Sequence, residues 1–525
     1  MSSDSLTLCS SVGQPDSATW QYRPMAIETV TGYCWPQSVA SGGSIGLHLS
    51  SAGGRPVSVE IARVGAQRTV VWADTVEADD HPTPRDADSN GCGWPVATTI
   101  TPSNDWASGY YEVLLTIDVD GKTRQSHAFV VVRPSANSKN TILLQLATNT
   151  WHAYNDFAGR NLYNGGTHAS LQRPMARGYL SKPPGAGRRV TTTHPPDRDM
   201  NTHVGYIRMN HLSGWAGSAG WPDWEQPFLA WAEQHGYGID VITNADLDEH
   251  PGIINNYRLL LSVGHDEYWS GPMRDTVEGF IARGGNVAFF SGNTALWQVR
   301  MEDPVDGTAS VMVGYKGQFK NDPVYATDRI AELTSIWSDH LIGRPENHMT
   351  GVSFTRGGYH RIGKRVTNGA GGYTVFRPDH WMFEGTGIDY GDVLGAAATT
   401  VGYECDGCEY ITVDGLPEPT GADGTPESFE ILAMVPAAHF TRTTAGRPPK
   451  PHEPSEIEFL ASRVFDDRSE AAVKRIAAGQ AMLGSYTSPG GGTVITSGST
   501  DWAHGLAGRD PQIEQITSNI LDRLG

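Results

Sequence analysis

Residues 259–270 read LLLSVGHDEYWS, and this stretch decides the fold predicted for the chain. Its apolar first half is typical of a strand that is buried on both faces of a parallel sheet. Residues 272–283 then carry apolar side chains at helical spacing, and Gly284-Gly285 is a typical helix end. Residues 287–290, which read VAFF, predict the next buried strand. The stretch therefore predicts a strand, a helix and a strand of a doubly wound α/β sheet.

Polar side chains follow the two predicted strands at the points where these strands end. His265 and Glu267 follow the first strand, and Asn293 follows the second. Because ligands bind beyond the carboxyl ends of parallel strands, we expect these three side chains to meet in one crevice. Imidazole, carboxylate and amide groups are suited to acid–base chemistry and to holding a substrate carbonyl or a water molecule.

These polar residues also have structural alternatives. The turn after the first strand could owe its composition to a helix cap, with Asp266 or Ser270 capping the following helix. A cap accounts for one residue of the turn, however, and not for His265 together with Glu267. For Asn293 the alternative is a turn residue in the left-handed conformation, which asparagine tolerates. The sequence therefore favours function for the histidine and the glutamate and leaves both interpretations of Asn293 open.

Two tyrosines flank the segment that follows the predicted strand Ile142–Leu146. In a doubly wound sheet, this segment can lie beside the turn that contains Glu267. Phenolate and carboxylate oxygens are hard donors, which suit an ion such as Fe(III). Tyr154 and Tyr163 are therefore candidate metal ligands together with Glu267, and aromatic packing is the alternative for each tyrosine. The rival ligands nearby are two histidines, His152 and His168.

Cys405 and Cys408 form a lone C-x-x-C pair. A structural zinc site needs two such pairs, and a redox pair needs the start of a helix in a βαβ unit. The pattern therefore favours a turn between two strands, and the preceding Glu404 is the stronger candidate for chemistry. Asp501, which follows a predicted strand, is either a site residue or a helix cap.

The first 134 residues have a different pattern. Residues 1–29 are polar and predict a loose N-terminal arm, whereas residues 30–134 predict a small immunoglobulin-like β-sandwich. Asp120-Gly121 predicts a hairpin turn, after which Gln125–Val132 is expected to form an edge strand. The segments that alternate apolar and polar residues, as half-buried strands do, are Ile45–Leu49, Val57–Val64 and Tyr111–Ile117.

From residue 140 to residue 525, strands and helices alternate, which predicts one α/β domain with right-handed crossovers. Loops are expected at residues 159–223, a long segment of the kind that is usually functional, and at residues 441–454. The further predicted elements are the helices Trp224–Gln234 and Ile513–Leu524 and the strands Ile239–Ile242, His360–Ile362, Tyr373–Phe376, Ala396–Val401 and Phe429–Val435.

Composition limits the partners of the chain. Its 525 residues carry a net charge of −19, which argues against nucleic acid and against an anionic membrane surface. No run of about 18 apolar residues is present to span a bilayer, and the N-terminus lacks the pattern of a secretory signal. Five cysteines are few and odd in number, which fits a reducing cytoplasm better than a disulfide scaffold.

Five segments, in this order, resemble the large catalytic subunit of N,N-dimethylformamidase and its relatives. They are residues 147–155 (ATNTWHAYN), 264–269 (GHDEYW), 291–293 (SGN), 401–404 (VGYE) and 499–505 (STDWAHG). The likeness covers roughly residues 140–525 and depends on the ordered set of segments. It implies a class I glutamine-amidotransferase-like α/β domain, in agreement with the alternation of strands and helices.

The resemblance also implies an activity, a cofactor and a set of site residues. The family hydrolyses small N-substituted amides at one mononuclear iron, Fe(III), that is held by two tyrosines and a glutamate. Carried over to this chain, the ligands are Glu267, Tyr154 and, as the second tyrosine, Tyr163, with His168 as the alternative at that place. The active-site residues of the family match His265, Asn293 and Glu404.

A mechanism follows as a hypothesis. The metal acts as a Lewis acid on the amide carbonyl or on a bound water. Glu404 acts as the general base to that water or later protonates the leaving amine, and His265 and Asn293 orient water and stabilise an oxyanion. This chain is shorter than the family's large subunit, and its N-terminal domain looks different and smaller. We expect a homo-oligomer that acts on a small-molecule amide, and the family's small helical subunit is a candidate partner. The alternatives are a non-catalytic carbohydrate- or partner-binding protein with a degenerate site and a zinc-dependent amide hydrolase.

Overall fold

The computed structural model describes residues 29–183, 207, 210–305, 307–361, 370–443 and 453–525. Within these residues the chain has an α/β architecture with several mixed sheets. The predicted N-terminal arm lies outside the described residues except for Thr29. None of the helices in the described ranges is both long enough and apolar enough to cross a membrane.

Strands between residues 30 and 132 form two of the sheets. They are β1 (Val30–Trp35), β2 (Ser38–Val39), β3 (Ile45–Ser51), β4 (Val57–Val64), β5 (Arg68–Val76), β6 (Val96–Ile100), β7 (Gly109–Val119) and β8 (Lys122–Val132). One sheet has the order β1-β3-β6 and the other the order β2-β8-β7-β4-β5, and buried apolar side chains of both sheets form one cluster. The predicted hairpin is confirmed, because Asp120 and Gly121 have φ angles of 53° and 74° and join β7 to β8. The predicted edge strand is wrong, since β8 pairs with β2 on one side and with β7 on the other.

The remaining strands of the described residues lie between residues 142 and 496. They are β9 (Ile142–Leu146), β10 (His168–Ser170), β11 (Ile239–Thr243), β12 (Leu259–His265), β13 (Tyr268–Ser270), β14 (Asn286–Gly292), β15 (Trp297–Val305), β16 (Thr308–Val313), β17 (Ser353–Tyr359), β18 (Tyr373–Val375), β19 (Val393–Leu394), β20 (Glu404–Gly407), β21 (Tyr410–Val413), β22 (Leu416–Pro419), β23 (Glu430–Pro436), β24 (Gln480–Thr487) and β25 (Thr493–Thr496).

The largest sheet of the described residues has nine strands in the order β11-β9-β12-β14-β25-β24-β23-β18-β19. Strands β11, β9, β12, β14 and β25 run parallel to one another. The pairings from β25 to β19 are antiparallel. The predicted parallel pattern therefore describes one half of this sheet, and the other half is antiparallel.

The parallel half contains a point where the order of the strands reverses. Numbered by their order in the chain, its strands are arranged 2-1-3-4-5, so the reversal falls between β9 and β12. Every residue of β9 and β12 is buried, as expected for strands covered on both faces. The crevice beyond the carboxyl ends of such a strand pair is where α/β sheets bind their ligands.

The helices cover and connect these sheets. The α-helices of the described residues are Ala87–Asn90, Thr148–Tyr154, Glu225–Gln234, Asn244–Glu249, Gly271–Ala282, Asn347–Thr350, Glu456–Phe465, Glu470–Ala477, Trp502–Ala507 and Pro511–Leu524. Short 3₁₀ helices span Pro251–Asn256, Lys316–Asn321, Ile330–Glu332 and Trp381–Phe383. The predicted cap is confirmed at Ser270, whose hydroxyl accepts the N–H of Met273 at the start of Gly271–Ala282. This helix ends before Gly284, whose φ angle is 93°.

Some of the predicted elements are wrong. Residues 396–401 do not form a strand, because the chain turns there, with Thr399 at a φ angle of 55° and the N–H of Thr400 donating to the carbonyl of Gly395 at 3.1 Å. Cys405 lies within strand β20 and not in a turn between strands. Strand β17 ends at Tyr359, before the strand predicted at residues 360–362. Ile362 and parts of the predicted loops 159–223 and 441–454 lie outside the described residues.

Candidate functional site

The site lies beyond the carboxyl ends of β9 and β12. The helix Thr148–Tyr154 begins two residues after β9 ends, and β12 ends at His265. The two strands are direct neighbours, so the residues that follow them meet at one edge of the sheet. Gly264 permits this arrangement, because its φ angle is 84° and a Cβ atom there would lie 2.4 Å from Cβ of Trp224.

Glu267 is a buried carboxylate at the centre of the site, with 2% of its surface exposed. The phenol oxygen of Tyr163 lies 2.5 Å from its Oε1 and 2.7 Å from its Oε2. The indole Nε1–H of Trp297 donates to Oε1 at 2.7 Å. The backbone N–H of Glu267 donates to the hydroxyl of Thr150 at 2.9 Å, which ties the turn to the helix after β9.

The two tyrosines predicted as ligands lie side by side. The rings of Tyr154 and Tyr163 stack with their centroids 4.2 Å apart, and the centroid of Tyr154 lies 5.6 Å from that of His265. Tyr154 is fully buried, and Tyr163 is partly buried. The ammonium of Lys316 lies 3.2 Å from the ring centroid of Tyr163 and donates to the phenol oxygen of Tyr268 at 2.6 Å. The structure therefore brings the phenol of Tyr163 to Glu267, places the ring of Tyr154 beside Tyr163 and His265, and adds a cation beside Tyr163.

His265 connects the two carboxylates of the site. Its Nε2 lies 2.7 Å from Oε2 of Glu404 and 3.3 Å from Oε2 of Glu267. Its Nδ1 lies 2.6 Å from the carbonyl oxygen of Ser218. A carbonyl and a carboxylate only accept hydrogen bonds, so both ring nitrogens carry a hydrogen and the imidazole is a cation.

The pKa values of His265 and Glu267 follow from the same contacts. Burial by itself lowers the pKa of His265, but the charges of Glu404 and Glu267 and the hydrogen bonds to both raise it to about 10. Burial by itself raises the pKa of Glu267, but the hydrogen bond and charge of His265, with Lys316 and Tyr163, lower it overall. The imidazolium and its carboxylates thus stabilise one another in a water-poor environment.

Asn293 is both a turn residue in the left-handed conformation and an amide that contacts the other side chains of the site. Its φ angle is 52°, so it occupies the left-handed conformation of a turn residue. Its side-chain Nδ2–H donates to Oε2 of Glu404 at 3.1 Å, and Nδ2 lies 3.4 Å from Nε2 of His265. The left-handed conformation of Asn293 therefore directs its side-chain amide toward Glu404 and His265.

Glu404 is the first residue of β20 and has 2% of its surface exposed. Its Oε2 accepts hydrogen bonds from both His265 and Asn293. Its backbone oxygen accepts the N–H of Thr500 at 3.1 Å. A Cβ atom on Gly292 would lie 2.5 Å from that same backbone oxygen, so glycine is needed for β20 to approach the end of β14 so closely.

The donor set fits a hard metal ion. Tyr154, Tyr163 and Glu267 offer two phenol oxygens and a carboxylate, which are ligands of the type that Fe(III) prefers. Within the ranges that the structure describes, no group of three or more His, Cys, Asp and Glu side chains has a geometry that could hold a metal ion. A metal at this site would therefore depend on the phenols.

Other residues considered as site candidates have different surroundings. The Nε2 of His152 faces Oε1 of Gln37, and the ring of His168 contacts that of Tyr315. Asp501 begins the helix Trp502–Ala507, but its carboxylate accepts the indole N–H of Trp224 at 2.8 Å instead of capping the helix. Cys405 and Cys408 are both buried, and neither forms a disulfide with another cysteine of the described residues.

Several residues of the site were not identified from the sequence. Trp297, Lys316 and Tyr403 contact the predicted site residues, and the hydroxyl of Tyr403 lies 3.2 Å from Nδ1 of His265. No local pattern around them indicates these contacts. Asp406 could have been found, because it lies two residues after Glu404 and shares its face of a strand. The sequence pattern predicts a turn at this segment, and a turn does not place residues 404 and 406 on one face.

The chain matches a model of a known protein family. The family model described as N,N-dimethylformamidase beta subunit-like, C-terminal, matches residues 58–517, which is most of the chain. The match begins within β4, so it includes N-terminal strands that the resemblance seen in the sequence, at residues 140–525, did not cover. No curated protein sequence matches the chain significantly.

Proposed function

Because the chain belongs to the N,N-dimethylformamidase beta subunit-like family, we propose that it hydrolyses the C–N bond of a small N-substituted amide. The observation that carries this proposal is the buried contact of His265 with Glu404 and Glu267 beyond the carboxyl ends of β9 and β12. Two carboxylates at Nε2 of one imidazolium, with an amide and two tyrosines nearby, supply the proton transfers and the ligands that such a reaction needs.

The proposed cofactor is one ferric ion, with Tyr154, Tyr163 and Glu267 as its ligands. The contact of the Tyr163 phenol with both oxygens of Glu267 supports this ligand set. When bound, Fe(III) would supply Lewis acidity to the amide carbonyl or to a water molecule. The indole of Trp297 would hold Oε1 of Glu267 and so fix the orientation of that carboxylate.

The proposed general base is Glu404. Both nitrogens of His265 carry hydrogens, and the amide of Asn293 has no basic atom, so neither can take a proton from water. Glu404 accepts that proton while the water oxygen bonds to the carbonyl carbon, and it then passes the proton to the amide nitrogen as the C–N bond breaks. The products are a carboxylic acid and an amine.

His265 and Asn293 have positioning and electrostatic roles in this proposal. Both donate to Oε2 of Glu404, at 2.7 Å and 3.1 Å, so they fix the carboxylate in one orientation. The positive charge of His265 and the polar amide of Asn293 would also favour the negative charge that develops on the carbonyl oxygen of a substrate beside Glu404, which stabilises the tetrahedral intermediate.

We further infer the finer features of the architecture from this family membership. The 2-1-3-4-5 order of the parallel strands supports a class I glutamine-amidotransferase-like fold for residues 140–525. The two sheets of β1–β8 are antiparallel except for the short pairing of β2 with β8. These sheets and their shared apolar cluster support an immunoglobulin-like sandwich at residues 30–134.

The proposal extends to partners and location. The name of the family contains the term beta subunit, which supports a small partner subunit for this chain as well. We propose a homo-oligomer, and light scattering on the purified protein measures its mass directly. The cysteines described in the structure are not paired in disulfides, which supports a reducing cytoplasm as the compartment.

The test of the proposed function combines metal analysis with an amide assay. Elemental analysis of purified protein is expected to find about one iron per chain. The loaded protein is expected to release an amine and a carboxylate from N,N-dimethylformamide or from another member of a panel of small N-substituted amides. Iron-loaded, folded protein that releases no amine from any amide of the panel would contradict the proposed activity. Zinc in place of iron would contradict the proposed cofactor alone.

A further inference from the structure

Asp406 lies behind the turn that carries Asn293, and none of the roles proposed above uses it. Its side chain is buried, with 1% of the residue exposed. Its Oδ1 accepts the backbone N–H of Asn293 at 2.9 Å, and its Oδ2 accepts the backbone N–H of Thr294 at 3.1 Å. One carboxylate thus binds two consecutive peptide groups of the same turn.

This turn needs such support because its backbone is strained. Asn293 and Ala295 have φ angles of 52° and 54°, in the left-handed region that residues with a Cβ atom rarely occupy. Conformations of this kind persist only where surrounding contacts fix them. Asp406 supplies two of these contacts, and the carbonyl of Asp266 supplies a third by accepting the N–H of Ala295 at 2.9 Å.

The same strand carries the proposed base. Glu404 and Asp406 are two residues apart in β20, so their side chains point to the same face of the strand. The strand is fixed along its length, because the N–H of Asp406 donates to the carbonyl of Gly498 at 3.0 Å and Glu404 accepts the N–H of Thr500. Glu404 therefore meets the side chain of Asn293 while Asp406 holds the backbone of Asn293.

We propose that Asp406 is a positioning residue for the reaction, which fixes the Asn293 turn against β20 so that the Asn293 amide is aimed at Glu404. Its effect on the rate rests on the proposed function, whereas its effect on the turn does not. A movement of the amide by about 1 Å breaks the 3.1 Å bond to Glu404 and is expected to cost on the order of 100-fold in rate.

A double-mutant cycle tests whether Asp406 acts through Asn293. Asp406→Asn keeps the shape of the side chain but places an N–H against a backbone N–H of the turn. We expect it to lower kcat by about 100-fold with little change in KM. Asn293→Gly removes the amide and tolerates the left-handed turn. In that background Asp406→Asn is expected to change kcat by less than about 3-fold, because the positioned group is gone.

An equal loss of kcat in both backgrounds would overturn the proposal. If Asp406→Asn does not fold, Asp406→Ala takes its place in the cycle, since it removes the carboxylate without adding a donor. The matched control is Asp240→Asn, a buried carboxylate in β11 that is bonded to Ser138, Asn140 and Tyr257 and lies toward the amino end of the sheet. It is expected to leave kcat unchanged in both backgrounds.

A crystal structure of the Asp406 variant decides the role without any assay. We expect the turn to shift, with Nδ2 of Asn293 beyond hydrogen-bond distance from Oε2 of Glu404. A variant whose turn and whose Asn293–Glu404 bond are unchanged would overturn the proposal, whether or not the protein hydrolyses amides. If the wild-type protein hydrolyses no amide, the proposed function fails and this structural outcome still decides the role of Asp406.

Discussion

The phenol oxygen of Tyr163 lies 2.5 Å and 2.7 Å from the two carboxylate oxygens of Glu267, although 104 residues separate them in the chain. A phenol donates one hydrogen, so the two groups share a single proton. A cation bound between these oxygens would replace that proton. The hydrogen bond between Tyr163 and Glu267 is therefore the contact that a bound metal ion would replace.

Replacing Tyr163 by Phe is expected to lower the iron content of the purified protein and to abolish or shift the visible charge-transfer band of a ferric phenolate. The reason is that the change removes one hard oxygen donor and little else. Absorption spectra and elemental analysis measure both effects, and Tyr154→Phe is expected to behave in the same way.

The matched control is Tyr110→Phe. Tyr110 is another fully buried tyrosine, stacked on Trp221, and its hydroxyl has no hydrogen-bond partner in the described part of the chain. It is expected to keep both the iron and the band. A colourless wild-type protein with bound iron would contradict the assignment of the phenols as ligands.

Replacing Glu404 and Glu267 separately by Gln is expected to separate the base from the ligand. Glu404→Gln removes the proton acceptor and should lower kcat by about 100- to 10,000-fold while the iron remains bound. Glu267→Gln removes a charged ligand and should lower both iron content and activity. Measurements of kcat and of iron content for each variant distinguish the base from the ligand. Full activity of Glu404→Gln would show that another group is the base.

Replacing Trp297 by Phe is expected to weaken iron binding by about 10- to 100-fold, because Oε1 of Glu267 loses the indole hydrogen bond that orients it. Phe retains most of the apolar volume, so the free energy of unfolding should change little. Competition with a chelator measures the affinity. An unchanged affinity would show that the indole hydrogen bond is not needed to orient Glu267 for the metal.

The free energy of unfolding is expected to fall as the pH is lowered below about 6.5, partly because of His152. Burial, and then the charge of Arg173, lower the pKa of His152 in the folded state to about 3. Between these two values the unfolded chain binds a proton that the folded protein does not. The loss of stability from this one group is therefore at most about 1.4 kcal/mol per pH unit.

His152→Gln tests this assignment, because glutamine does not titrate and can still donate to Oε1 of Gln37. Chemical denaturation at several pH values is expected to show a shallower loss of stability for the variant than for the wild type. Parallel curves for the two proteins would show that the acid sensitivity lies in other groups.

Replacing Gly292 by Ala is expected to reduce both stability and activity. The added Cβ atom would lie 2.5 Å from the backbone oxygen of Glu404 and the backbone nitrogen of Thr500, and backbone cannot move aside as a side chain can. We expect the free energy of unfolding to fall by about 1–3 kcal/mol and kcat to fall with it, as β20 is displaced.

Gly271→Ala is the control for this change. Gly271 begins the helix Gly271–Ala282, and a Cβ atom there would meet nothing within 4 Å. This variant should be as stable as the wild type or slightly more so, because alanine favours the helix. A Gly292→Ala protein with wild-type stability would show that β14 and β20 can separate at no cost.

Much of the parallel half of the main sheet could be predicted, because its elements are specified by local patterns. The largely apolar runs of β9 and β12 and the helical spacing after Ser270 appear in short windows of sequence. The position of His265, Glu267 and Asn293 beyond strand ends followed from the same windows. Residues 396–401 were predicted wrongly because small apolar residues also fit a turn once glycine at position 395 reverses the chain.

The sequence by itself determined which residues end the parallel strands, because the periodicity of apolar side chains depends only on near neighbours in the chain. Only the tertiary structure decided which of these residues touch. Three hydrogen bonds of the site join separate segments of the chain. They are the bond of Tyr163 to Glu267, the bond of Trp297 to the same carboxylate, and the bond of the Asn293 backbone to Asp406. Such contacts depend on strand order and on the close approach of backbones, which no local pattern encodes.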